Sequence, residues 1–147
     1  MQTLREPIVS LEGVKIRAVH LTSLDLEVDL RVENPNPIDA ILRELPFTVF
    51  FRTGSGKKEI ASGNTGRIEI PANNSIVIPI PVTSYDLALL EAFISIIGRG
   101  GLRLEIEGNA VIDHIMGWTL PFTETVDVTA GEIVAALEGK TPGKKRT

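Results

Sequence analysis

A chain of 147 residues with 43% apolar and 23% charged side chains is long enough to bury a core of its own and too apolar to be disordered. It contains no cysteine, which excludes disulfides, thiolate nucleophiles and thiolate metal sites. The formal charge is −4, but the last ten residues carry Lys140, Lys144, Lys145 and Arg146 against Glu138, leaving −7 on the body, a balance that repels nucleic-acid phosphates and anionic lipid.

Ile8, Val9, Val14, Ile16 and Ala18 predict a first strand, with Gly13 at a bulge. The clearest pattern follows. Leu24, Leu26, Val28, Leu30 and Val32 alternate without a break with Asp25, Glu27, Asp29, Arg31 and Glu33. A period of two puts the aliphatics on one face and the charges on the other, the mark of an antiparallel strand with one wet face. Asn34-Pro35-Asn36-Pro37 then stops the sheet, since proline lacks a ladder donor and asparagine bonds its own backbone in turns.

A third strand is predicted at 47–51, a polar hairpin turn at 53–58 and a short return strand at 59–63. Ile68 and Ile70, a Pro71-Ala72-Asn73-Asn74 turn and Ile76 to Val82 continue the β pattern. Pro79 and Pro81 place this stretch at a sheet edge, where a missing donor is harmless and blunts aggregation. Ser84 as cap, Asp86 in the first turn and Leu87, Leu90, Ile94 and Ile97 at three- and four-residue steps predict a helix over 84–97, stopped by Gly98. Leu102, Leu104 and Ile106 alternate with Arg103, Glu105 and Glu107 in a strand running on to Val111, and Trp118 to Val128 forms the last strand. The expected fold is mostly β: an immunoglobulin- or fibronectin-like antiparallel sandwich of about seven strands with one inserted α-helix. Residues 1–130 would form that domain, and 131–147 a short helix and a flexible basic tail.

The residues offer little to catalysis, which needs titratable groups that converge. His20 and His114 lack further nominated ligands, so no metal site is expected. The acids of 25–33 stand in a row on one strand face, unlike a catalytic pair on opposing cleft walls. Gly54 to Lys58 has no Ser or Thr after the lysine and no following helix, and Gly98 to Gly101 follows a helix where a dinucleotide loop would precede one. No serine lies in a Gly-x-Ser-x-Gly setting. Asn73-Asn74-Ser75 matches a glycosylation triplet, a pattern common by chance. The few aromatics, Phe50 among them, read as core or near-core. No catalytic residue, cofactor or metal is assigned.

A charged and aliphatic strand running into "VENPNP", then "ASG", "IPANNSIVIPIPV", a Leu-rich helix and "LEIEGNAVIDHIMGWTLPF" resembles the WHy (water stress and hypersensitive response) domain of the type-2 late embryogenesis abundant proteins, over roughly residues 7–129. The resemblance implies a folded β-sandwich carrying a helix. It also implies a non-enzymatic part in desiccation or freezing tolerance, as a chaperone-like shield of client proteins under stress. Asn34, Pro35, Asn36 and Pro37 are the family motif, read as a structural turn. The alternative is a protein–protein interaction module, at the cell envelope for instance, with Ile94, Ile96 and Ile97 as its candidate surface. No run of about 18 apolar residues occurs, and the first seven residues lack a signal-like stretch. The protein is therefore expected to be soluble and cytoplasmic, or exported or lipid-anchored if a signal was removed.

Overall fold

The computed structural model describes residues 4–53, 55–86, 101–113 and 117–129. Nine strands run in chain order: β1 (Ile8–Val19), β2 (Leu24–Asn34), β3 (Ala40–Glu44), β4 (Pro46–Thr53), β5 (Gly56–Asn64), β6 (Ile68–Ile70), β7 (Asn74–Ser84), β8 (Gly101–Asp113) and β9 (Trp118–Thr129). They form two antiparallel sheets, one of three strands in the order β1-β2-β7 and one of six.

The larger sheet is simpler than six strands suggest. β8 pairs along its length with β9 on one side; on the other it pairs with β4 through Leu104–Gly108 and with β3 through Val111–Asp113. β3 and β4 are thus two halves of one row, broken at Leu45, with β6 and β5 beyond them. Between the sheets lies the core. All five aliphatics of β2 are buried, and Leu42, Leu45, Phe47, Val49, Ile70, Leu104, Ile106 and Ile112 meet them from the six-stranded sheet. β1 lies beside β9 at one flank of the sandwich and β5 beside β7 at the other.

The edge reading of Pro79 and Pro81 matches the geometry. β7 is the outer strand of its sheet, and both prolines are exposed opposite Asp29 and Glu27. The expected sandwich of about seven strands with one helix is corrected in two respects. Among the described residues there are nine strands, because Ala40–Glu44 is a separate five-residue strand that the sequence pattern does not predict, and the segments on either side of the expected turn at 71–73 are each strands. There is also no helix among the described residues. Ser84, the expected cap, is buried at the end of β7 and pairs with Leu24, while Tyr85 and Asp86 are non-helical. The ladder from the β-branched run of β7 to β2 outweighs the local capping signal. Residues 87–97, with Ile94, Ile96 and Ile97, lie outside the described residues, as do His114 and the segment 131–147.

Candidate functional site

The motif turn sits where the chain crosses from one sheet to the other. Residues 35–39 carry it from β2 to β3, and 71–73 carry it back from β6 to β7. Side chains tie these crossings together. The buried Asn34 amide directs its Nδ2 at the carbonyl oxygens of Ile38 (2.9 Å), Ile70 (3.2 Å) and Pro71 (3.3 Å), while its Oδ1 accepts from the Asn36 N–H (3.1 Å). Asn36 is buried too. Its Oδ1 accepts from the Arg5 N–H (2.6 Å), its Nδ2 donates to the Arg5 carbonyl (2.8 Å), and its own carbonyl accepts from the Asn73 N–H (2.9 Å). Its side-chain amide thus imitates a backbone partner and clamps the segment before β1. Asp39 accepts from the Ala72 N–H (2.8 Å), and Asn73 takes the left-handed conformation (φ 54°) that asparagine tolerates. Beside this knot is a cleft of about 380 Å³, bordered by Ile8, Glu33, Asn73 and Ser75.

The outer face of the three-stranded sheet carries the charge row of β2, and its charges from Asp25 to Arg31 are paired. His20 bonds Asp25 at 2.9 Å, which also accepts from the Thr83 hydroxyl (3.0 Å). Glu27 takes both Arg17 and Lys15, and Arg31 reaches Glu12 (3.0 Å) and the Ser75 hydroxyl (3.0 Å). Hydrogen bonds from His20, Arg17 and Arg31 hold the carboxyls of Asp25, Glu27 and Glu12, respectively, below their ordinary values.

Asp29 departs from the solvated row that alternation implied. It is only 6% exposed, its Oδ1 is buried without a partner among the described residues, and Lys15 lies 3.3 Å from its other oxygen. Burial pushes its pKa up, and the hydrogen bond and charge of Glu27 add to the rise. The native state therefore holds this proton to higher pH than the unfolded chain does. Its contribution to stability is full below the ordinary aspartate value and falls away as pH rises through the raised one. Glu27, Asp25 and Glu12 act oppositely, giving stability that is lost as pH falls through their lowered values. Asp29→Asn removes the buried charge and can donate to Glu27. Urea unfolding should show a gain of about 1 kcal/mol at neutral pH, the scale of one hydrogen bond, shrinking as the wild-type carboxyl protonates. A loss at neutral pH would contradict this account.

No cluster of three His, Asp or Glu side chains among the described residues is placed to hold a metal ion. The acids are engaged by cations on an open sheet face. On the outer face of the six-stranded sheet, buried Glu105 bridges Arg52 (3.2 Å) and Lys57 (2.7 Å), and Lys57 also reaches Glu107. Phe50, expected in or near the core, is half-buried on this outer face with the Lys57 amine 4.4 Å over its ring. Alternation along β4 accounts for this, since Phe47 and Val49 are buried and the strand keeps an unbroken register with β8 through Phe51. No helix among the described residues is long and apolar enough to cross a membrane.

The fold has solved counterparts. An Arabidopsis thaliana protein solved in solution superposes with a TM-score of 0.62 at 20% identity, covering 88% of this chain and 85% of that one. A solution structure described as a late embryogenesis abundant protein gives 0.59 at 13% identity, covering 84% and 71%. A crystal structure of an Archaeoglobus fulgidus protein gives 0.51 at 12% identity, covering 86% and 97%. At such identities the likeness is one of fold. In sequence, an uncharacterised protein of Methanocaldococcus jannaschii is 28% identical over 88 residues, 60% of this chain, and the match spans half of that relative's length. Residues 29–126 match the model of the late embryogenesis abundant protein family. With well over half of its residues inside that model, from the middle of β2 almost to the end of β9, this chain belongs to the late embryogenesis abundant protein family.

Proposed function

We propose that this stress-related protein acts without catalysis, shielding other proteins from each other during drying or freezing. The observation that carries the reading is the finish of its two outer faces. Each carries paired charges, Arg17–Glu27–Lys15–Asp29 and Arg31–Glu12 on one, Arg52–Glu105–Lys57–Glu107 and Arg103–Asp127 on the other. The β7 edge is blunted by Pro79 and Pro81. A surface of this kind keeps its hydration, and its edge resists strand pairing as water loss concentrates the solution. It can therefore stand between partly unfolded clients without joining them. The test is survival of a labile enzyme through drying or freeze–thaw beside this protein, against an equal mass of an inert globular protein. Greater survival is expected; equal protection would remove the idea.

A second reading, a docking module for one partner, draws on Leu21 and Tyr85, which are 97% and 74% exposed. The pairing of Leu24 with Ser84 brings both to the same end of the three-stranded sheet. One stoichiometric partner recovered from native extract favours that reading; many weak ones favour the first.

A further inference from the structure

The six-stranded sheet has a trough on its outer face. One row of residues, Gly63, Phe47, Gly108 and Phe122, runs in register across β5, β4, β8 and β9. Phe47 is buried and Phe122 packs against the core, so the row turns its side chains inward. Both glycines lie under those rings. A Cβ on Gly63 would stand 2.7 Å from the Phe47 ring, and one on Gly108 would stand 2.7 Å from the Phe122 ring. Seen from outside, the row is therefore bare backbone. Flanking rows point outward and make the walls, with Thr48, Glu107 and Thr123 on one side and Asn64, Asn109 and Pro121 on the other. The trough is open to solvent and its volume is about 710 Å³, within the roughly 300–1,000 Å³ of small-molecule sites.

The walls specify the chemistry. Thr48, Asn109 and Thr123 make no side-chain hydrogen bond to another described residue. The Asn64 Oδ1 accepts from the N–H groups of Leu45 (3.0 Å) and Gly66 (3.1 Å), which fixes the amide and leaves its NH₂ to donate. The one carboxylate in the trough, Glu107, is paired with Lys57. So the site offers hydroxyl and amide donors and acceptors in near-neutral surroundings. Flat apolar surface comes from Pro46 and Pro121, while the Phe50 ring beside them already carries the Lys57 amine over it. With Glu107 and Lys57 offsetting each other, the trough presents no unpaired charge to an anion or a cation. Four strands set about 4.8 Å apart give a trough of about 14 Å, and a pyranose ring with its link advances by about one strand spacing. We propose that this trough binds a neutral polyhydroxylated molecule, a short oligosaccharide of two or three rings, across the strands. This inference does not depend on the protective reading.

The test is a titration of the full chain with maltose and with sucrose, followed by backbone amide NMR shifts, with glycine betaine as a solute lacking hydroxyls. Saturable shifts in the millimolar range, confined to residues around Thr48, Asn64, Glu107 and Asn109, are expected with at least one sugar and absent with betaine. In Thr48→Val with Asn109→Val, both tolerated in strands, affinity should fall by about tenfold, the scale of one to two hydrogen bonds. Should that pair fail to fold, Ser62→Ala on the same wall serves, with a smaller weakening of about threefold. Shifts that stay linear with sugar, spread over the whole surface, appear equally with betaine or persist at full affinity in the folded variants would each overturn the proposal.

Discussion

Asn34→Ala should cost about 3 kcal/mol of unfolding free energy, read as a lowered urea midpoint at unchanged slope. Asn34 is 1% exposed, and both ends of its side-chain amide are engaged. Its two N–H hydrogens are shared among the carbonyls of Ile38, Ile70 and Pro71, and its oxygen holds the Asn36 N–H. Alanine leaves at least three backbone groups without partners at the junction of the two sheets, each costing about 1 kcal/mol or more. Asn34→Asp separates hydrogen bonding from shape. A carboxylate would face those same carbonyls, so the variant should be worse than alanine at neutral pH. It should recover as pH falls and a protonated oxygen can donate, because a carboxyl held there would titrate above its ordinary value. Asn36→Ala, by contrast, releases mainly Arg5 and the turn, and should cost about 1 kcal/mol. An Asn34→Ala protein within about 1 kcal/mol of wild type would mean that the knot is not what couples the crossings.

The parts legible in the sequence are those whose signal is local. Alternation in β2 specified its buried and wet faces because five aliphatics in a row match a period of two with no helical alternative. Pro79 and Pro81 announced an edge because a missing N–H admits no other place in a ladder. Asn34-Pro35-Asn36-Pro37 could be seen to stop a strand, but its bonds reach residues 31 to 37 positions away, and no spacing records those. β3 went unseen because five residues give too short a window, and its pairing with β6 and β8 sustains what propensity does not. Asp29 looked like its solvated neighbours; its burial depends on Pro79 and Lys15 brought in by other strands. The trough had a faint trace. Glycine inside an otherwise regular strand signals a close approach, and Gly63 and Gly108 are such residues. Only their shared neighbour Phe47, known once the ladders are known, joins them into one feature.

That shared row yields the second large effect. Gly108→Ala should destabilise by about 2–3 kcal/mol, beyond the few tenths gained by stiffening the unfolded chain. The new methyl would stand 2.8 Å from the Pro46 carbonyl oxygen and 2.7 Å from the Phe122 ring, and the first of these is backbone that cannot swing aside. Gly63→Ala is the gentler change, at about 1–2 kcal/mol, because the atoms met there belong to the side chains of Phe47 and Val82. Adding Phe122→Leu to Gly108→Ala clears the ring but leaves the Pro46 oxygen, so a double-mutant cycle should recover less than half of the loss. Full recovery would assign the whole penalty to the ring. Displacing Pro46 outward also pushes a wall residue of the trough, so in the surviving folded fraction sugar-induced shifts should weaken together with stability. Gly63→Ala adds its methyl on the inner side of the sheet and should leave them largely intact. Stability and binding would then separate along one row of the sheet, according to whether the obstructed neighbour is side chain or backbone.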